Sequence, residues 1–125
     1  MASLGMGQSY ELSEEIINQI IEPNRMGNYA YGYLNDNGKF IVKYVGRSDS
    51  DLKSRIKHGL QDRENDEKCR KYERFKFSYA SNVKEAYDKE CRNYHDFGGD
   101  EGLLNNERHP DKPEGMNYKC PICDE

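Results

Sequence analysis

Residues 28–46, NYAYGYLNDNGKFIVKYVG, decide the fold. Tyr29, Tyr31 and Tyr33 alternate with small residues, the period-two pattern of a strand, so the three rings share one face of a sheet. Asn35-Asp36-Asn37-Gly38 is a turn, because asparagine and aspartate cap their own backbone and glycine accepts a positive φ. Lys39 to Val45 then returns as the second arm of a hairpin.

On the N-terminal side the period changes. Leu12, Ile16, Ile17, Ile20 and Ile21 form one stripe of a helix; Ser13 is its N-cap, Glu14 and Glu15 occupy the first turn, and Pro23 ends it. Residues 1–9 are small and polar and are expected to be disordered. On the C-terminal side Gly46-Arg47-Ser48-Asp49 leaves the strand and enters a second helix capped by Asp49 or Ser50. Leu52, Arg55, Ile56 and Leu60 lie near one side of it, with His58 close by. Arg55 therefore sits beside a buried seam, where a charge is costly unless it has a partner or a task. A run of mixed charge from Gln61 to Arg74 reads as solvated. Phe75 to Ala80 alternates as a third strand, and Ser81 or Asn82 opens a third helix that runs to about Phe97 and is closed by Gly98-Gly99.

The expected fold is α+β: a three-stranded antiparallel sheet flanked by helices over residues 10–106, followed by an irregular tail over 107–125 that contains Cys-Pro-Ile-Cys. The whole is 125 residues, the size of one domain. Hydrophobic and charged residues each make up 34 % and the net charge is −4. No run approaches the roughly 20 apolar residues of a membrane span. Ten tyrosines supply apolar area that scarce aliphatics do not, so the core is lean and a further staple is expected. The acidic balance argues against a surface that coats nucleic acid, though not against a local basic groove. Residues 1–7 lack the basic head and apolar stretch of a secretory signal, so a cytoplasmic, reducing setting is expected, in which four cysteines point to metal before disulfides.

Tyr29-Ala30-Tyr31, Tyr44-Val45-Gly46, Arg55, Glu90 and Asn105 occur in an order and spacing that resemble the GIY-YIG nuclease family. In that family a tyrosine motif on the first hairpin strand is followed by a Tyr-Ile-Gly motif ending the second, an arginine on the next helix, a metal-binding glutamate on the helix after the third strand, and a late asparagine. The resemblance spans roughly residues 28–106. Tyr31 looks like the first tyrosine, with Tyr33 as the competing register. Tyr44-Val45-Gly46 matches the second motif with Val for Ile, His58 resembles the accompanying histidine, and Asn105 is the late asparagine, with Asn106 as its rival. The resemblance implies a divalent-metal-dependent endonuclease that hydrolyses DNA, with RNA as the less expected substrate and a partner domain or second subunit possible. The chemistry is coherent on its own terms. Glu90 would hold one Mg2+ or Mn2+, and Arg55 would clamp the phosphate through its guanidinium fork. A tyrosine, Tyr31 or Tyr44, would orient or deprotonate the water. The alternative is a catalytically silent zinc-containing module that binds nucleic acid or protein.

A second constellation lies outside the resemblance. Cys120 and Cys123, two residues apart, form half of a tetrahedral zinc site. Cys91 and His95 are four apart on the third helix and share a face. The expected structural zinc is held by Cys91, His95, Cys120 and Cys123, with His109 as rival for the histidine place and Cys69 as a distant reserve.

Overall fold

A computed structural model describes residues 3–123. The elements are β1 (Tyr10–Glu11), α1 (Glu14–Ile20), β2 (Gly27–Leu34), β3 (Phe40–Ser48), α2 (Leu52–Asn65), β4 (Arg74–Tyr79) and α3 (Val83–Asp96), with short 3-10 turns at Glu67–Cys69 and Gly99–Glu101. The fold is α+β, but the antiparallel sheet has four strands, in the order β1-β4-β2-β3, where three were expected. The extra strand is two residues long: Tyr10 pairs with Phe75 and Glu11 with Arg74. Arg74 fixes its start through Nε to Ser9 Oγ (2.7 Å) and Nη2 to the Ser9 carbonyl (2.8 Å). A pair of residues carries no period, so only these long-range bonds define the strand. Among the described residues no helix is long and apolar enough to cross a membrane.

Local chemistry sets the other boundaries. Ser13 Oγ accepts from Ile16 N (3.3 Å), and Asn82 Oδ1 from Glu85 N (2.8 Å), capping α1 and α3. The cap of α2 falls later than the sequence suggested, at Asp51. Ser48 Oγ takes the Ser50 and Asp51 amides instead, and Asp49 is engaged by Arg47. In the hairpin turn Asn35 Oδ1 accepts from both Asn37 N and Lys39 N, and Gly38 has φ 77°. A bulge follows Tyr31: Tyr31 pairs with Tyr44, but Gly32 pairs with Val42, leaving Lys43 as the extra residue.

Strand alternation sorts the core into two layers. Tyr29, Tyr31 and Phe75 face α1 and α2, packing with Leu12, Ile17, Ile21, Leu52 and Ile56. Ala30 and Val45 face the other way, against Tyr94 of α3 and Leu104. Residues 3–9, expected to be disordered, contribute Leu4 and Met6 to this second layer; Met1 and Ala2 lie outside the described residues. Two glycines let aromatic rings approach backbone. At Gly46, opposite Tyr29, a Cβ would fall on the Tyr29 ring; at Gly59 on α2 it would fall on that of Tyr31. Gly46→Ala should therefore displace the Tyr29 ring and cost about 1–3 kcal/mol or more. A thermal melt indistinguishable from wild type would refute that tight approach.

Candidate functional site

A cleft of about 940 Å³ opens where α2, the outer edge of β3, α3 and the tail meet, and Tyr31, Tyr44, Arg55, His58, Glu90 and Asn105 all line it. Six chain segments contribute: β2, β3, α2, residues 66–72, α3 and residues 105–111. The competing first tyrosine, Tyr33, is not part of the wall. It lies beyond the bulge with its ring under Lys71 Nζ, 5.0 Å from the centroid.

The floor is aromatic. Tyr31 stacks on Tyr72 at 4.8 Å between centroids, and Tyr29 on Tyr44 at 6.2 Å. The Tyr31 hydroxyl donates to the Ile56 carbonyl (2.9 Å), with the Arg55 carbonyl also within reach (3.3 Å), so its proton is spent on the backbone of α2. Burial pushes the phenols of Tyr29 and Tyr31 well above their usual range. Tyr44 is half-buried. Burial and Glu90 raise its pKa, while Arg55 and a hydrogen bond with the Tyr29 side chain oppose the rise. The sequence pairing of Tyr31 with Tyr44 thus becomes, in hydrogen-bond terms, a pairing of Tyr29 with Tyr44. Alternation alone had placed Tyr29 on that face.

Arg55 and His58 stand exposed on the cleft side of α2, and the Arg55 guanidinium forms no ion pair among the described residues. The two asparagines divide the work at the far wall. Asn106 pairs with the free edge of β3 as a strand would, its Oδ1 accepting from Val45 N (3.1 Å) and its Nδ2 donating to Val45 O (2.8 Å). Asn105 turns into the cleft, where Nδ2 donates to Lys68 O (2.9 Å) and Tyr72 Oη (3.2 Å).

Glu90 is buried on α3 and held by a residue the sequence reading missed. Arg47 Nη1 donates to Glu90 Oε1 (2.5 Å) and to the Asp111 carbonyl (2.6 Å), while Nε donates to Asp49 Oδ1 (2.9 Å). Burial pushes the Glu90 carboxyl up to about 7; Arg47 opposes this, and the nearby Asp49 and Asp111 add to it. One guanidinium shared among Glu90, Asp49 and a carbonyl therefore leaves the buried carboxylate short of positive charge. Because the folded-state pKa lies above the unfolded value near 4.5, the folded chain binds this proton more tightly. The stability it contributes is full below that unfolded value and is lost as pH rises through about 7. Subtracting urea-melt free energies of Glu90→Gln from wild type between pH 4.5 and 8 should expose this falling slope; a flat difference would contradict the raised pKa.

Beside the cleft, one ligand atom from each of His95, His109, Cys120 and Cys123 lies within 4.8 Å of the others, close enough to hold a metal ion. Cys91, expected as a ligand, is not in the group; His109 takes its place and His95 keeps its own. Burial pushes the Cys91 thiol up to about 12, and it packs with Tyr87 and Cys120 as a small hydrophobe. Burial also acts to raise Cys120, but the Cys123 and Ile122 amides, with the His109 and Cys123 side chains, outweigh it and bring the thiol to about 6. The Ile122 amide lies 3.4 Å from its Sγ.

The histidines are oriented as ligands are. His109 Nδ1 lies 3.0 Å from the Pro110 carbonyl, which only accepts, so Nδ1 carries the proton and Nε2 is left for the sulfur side, 3.4 Å from Cys123 Sγ. His95 Nδ1 lies 3.5 Å from Asp100 Oδ2, and its Nε2 is buried with no hydrogen-bond partner among the described residues. Two ring nitrogens and two cysteine sulfurs within 4.8 Å, with the Asp100 carboxylate 3.5 Å from His95 Nδ1, make the donor set of a tetrahedral site with a carboxylate near its shell. Helix spacing had placed His95 on the right face, but the return path of the tail, which selects His109, has no signature in spacing.

Comparison with protein-family models, with curated proteins and with solved structures gives no match.

Proposed function

We propose that the cleft hydrolyses phosphodiester bonds in nucleic acid, DNA before RNA, in the manner of a GIY-YIG-type endonuclease. One observation carries this reading: a buried, under-compensated carboxylate from α3, a guanidinium with no ion pair among the described residues and an imidazole from α2, and a hydrogen-bonded tyrosine pair from β2 and β3 reach one cleft. Glu90 is the residue to hold Mg2+ or Mn2+, which suits a hard cation on one carboxylate with water and phosphate oxygens completing its shell. When bound, the ion supplies charge neutralisation at the phosphate. Arg55 grips the non-bridging phosphate oxygens through its planar fork. Tyr44, its hydroxyl held by Tyr29, orients the attacking water. His58 is the nearby group able to carry a proton at neutral pH. Tyr31 fixes α2, and so Arg55, through its bond to the Ile56 carbonyl. Asn105 positions the far wall. The neighbouring two-histidine, two-cysteine group takes zinc in this reading, with four protein ligands and no open position, hence a structural role.

Arg55→Lys keeps the charge but loses the fork, and should lower kcat/KM for a plasmid substrate about 10- to 100-fold, roughly the 1.4–2.7 kcal/mol of a charge-assisted contact. Steady-state cleavage with Mn2+ checks this, and unchanged kinetics would remove Arg55 from the site. A second reading has one observation in its favour. The same wall carries Asp62, Asp66, Glu107 and Asp111, which repel phosphate and suit a silent module that binds a protein. Binding without cleavage in any divalent metal would select it.

A further inference from the structure

The segment 105–111 joins the two constellations. At one end Asn105 N donates to the Lys43 carbonyl (2.6 Å), and the Asn106 side chain pairs with Val45, laying the segment along the free edge of β3. Beyond this come His109, a member of the metal-holding group, and Asp111, whose carbonyl is the second acceptor of Arg47 Nη1. The other acceptor of that nitrogen is Glu90, and five residues after Glu90 on the same helix comes His95. A ring of contacts therefore runs from Glu90 to Arg47 to the Asp111 carbonyl, along the chain to His109, across the ligand group to His95, and back down α3 to Glu90. Every link but one is a hydrogen bond or covalent chain; the link between His109 and His95 is where a metal would sit.

We infer that a zinc ion held by His95, His109, Cys120 and Cys123 closes this ring, and so fixes the Asp111 carbonyl that positions Arg47 against Glu90. Its functional meaning rests on the cleft reading above, while its geometry does not need any cleavage to occur. Four observations favour a thiophilic tetrahedral cation as the occupant. Two nitrogens and two sulfurs converge, His109 has its Nδ1 at the Pro110 carbonyl and its Nε2 facing Cys123 Sγ, His95 Nε2 is buried with no hydrogen-bond partner among the described residues, and a peptide N–H lies against Cys120 Sγ. The coupling follows from distance along the chain. Asp111 is only two residues beyond His109, and few other contacts hold it: its carboxylate reaches Arg108 at an exposed site, where an ion pair contributes little. Without the metal, the segment keeps only the exposed Lys68–Glu107 ion pair, the edge contact of His109 with Tyr94, the burial of Pro110 and the Arg47 bond itself, a looser hold in which Arg47 exchanges the Asp111 carbonyl for water more readily. Arg47 and Asp111 act here as positioning groups, through Glu90.

The test uses the full chain without nucleic acid. Zinc content is measured, zinc is removed with a chelator and restored, and the Arg47 Nε–H and Asn105 amide are followed by NMR hydrogen exchange in each state. The expected result is one zinc per chain, with exchange at both groups at least about tenfold faster in the stripped protein and reversed on adding zinc back. Substituting cobalt should give the absorption bands of a tetrahedral ion with thiolate ligands. Cys123→Ser, at an exposed ligand, should reproduce the stripped state, whereas Cys91→Ala should keep the ion. One zinc per chain with unchanged exchange on removal would mean that the ion ties down the tail alone and would overturn the coupling. No bound zinc, or zinc retained by Cys123→Ser and lost by Cys91→Ala, would overturn the ligand assignment. Since no arm measures cleavage, failure of the nuclease reading would show separately, as intact nucleic acid with the zinc coupling present.

Discussion

Glu90→Gln should abolish metal-dependent cleavage while leaving the fold in place. The substitution keeps the shape of the side chain and a carbonyl oxygen to accept from Arg47 Nη1, so the pair that closes the cleft wall survives in outline. What it removes is the negative charge of the one buried carboxylate that lines the cleft among the described residues, the group proposed to hold the cation. Loss of one charge-stabilising group in a water-excluded site typically costs about 100- to 1,000-fold in rate, and loss of the metal itself costs at least as much. Mn2+ binding followed by calorimetry should vanish together with cleavage. Cleavage at the wild-type rate, or Mn2+ binding that persists unchanged, would take Glu90 out of the site.

Cys120→Ser should produce the largest loss of stability. Cys120 is a metal-group sulfur and is also buried between Cys91 and Tyr87, so serine removes a ligand and leaves a hydroxyl in an apolar pocket. Zinc at about 1,000 times its dissociation constant contributes about 4 kcal/mol. For a domain of this size that corresponds to roughly 10–20 °C in Tm. Zinc-loaded wild type should melt higher than the variant by that margin, and a strong chelator should bring the wild type down towards it. If chelation leaves the wild-type Tm where it was, the tail is held without metal.

Much of the scaffold was legible because its signals are local. Ser13 caps α1, the Asn35–Gly38 turn closes the hairpin, and the alternation of Tyr29 and Tyr31 assigns them to one face. Helix period put Arg55 and His58 near one side of α2, whereas Glu90 was singled out by the order of motifs and not by any period; all three line one cleft. The misses have the opposite character. Strand β1 exists only through its pairing with Arg74 and Phe75, more than 60 residues away in the chain. Arg47 looked like the start of a loop, yet it is the last inward-facing charge of β3; its partners Glu90 and Asp111 lie on elements that only the folded chain brings together. Cys91 and His95 share a helix face, but burial among Tyr87 and Cys120 keeps Cys91 a thiol, and His109 arrives on a tail whose course has no periodicity to read. Local patterns specify elements and faces. The site is completed by long-range contacts of irregular segments, where sequence spacing carries little.

The most direct test of the central proposal is to incubate zinc-loaded wild-type protein with supercoiled plasmid and with single-stranded oligonucleotides, with Mg2+, with Mn2+, and with neither. The cleft as described predicts nicked or linear products that require the divalent ion and disappear with Glu90→Gln. Intact nucleic acid under every condition, from protein that binds its zinc and melts cooperatively, would contradict it.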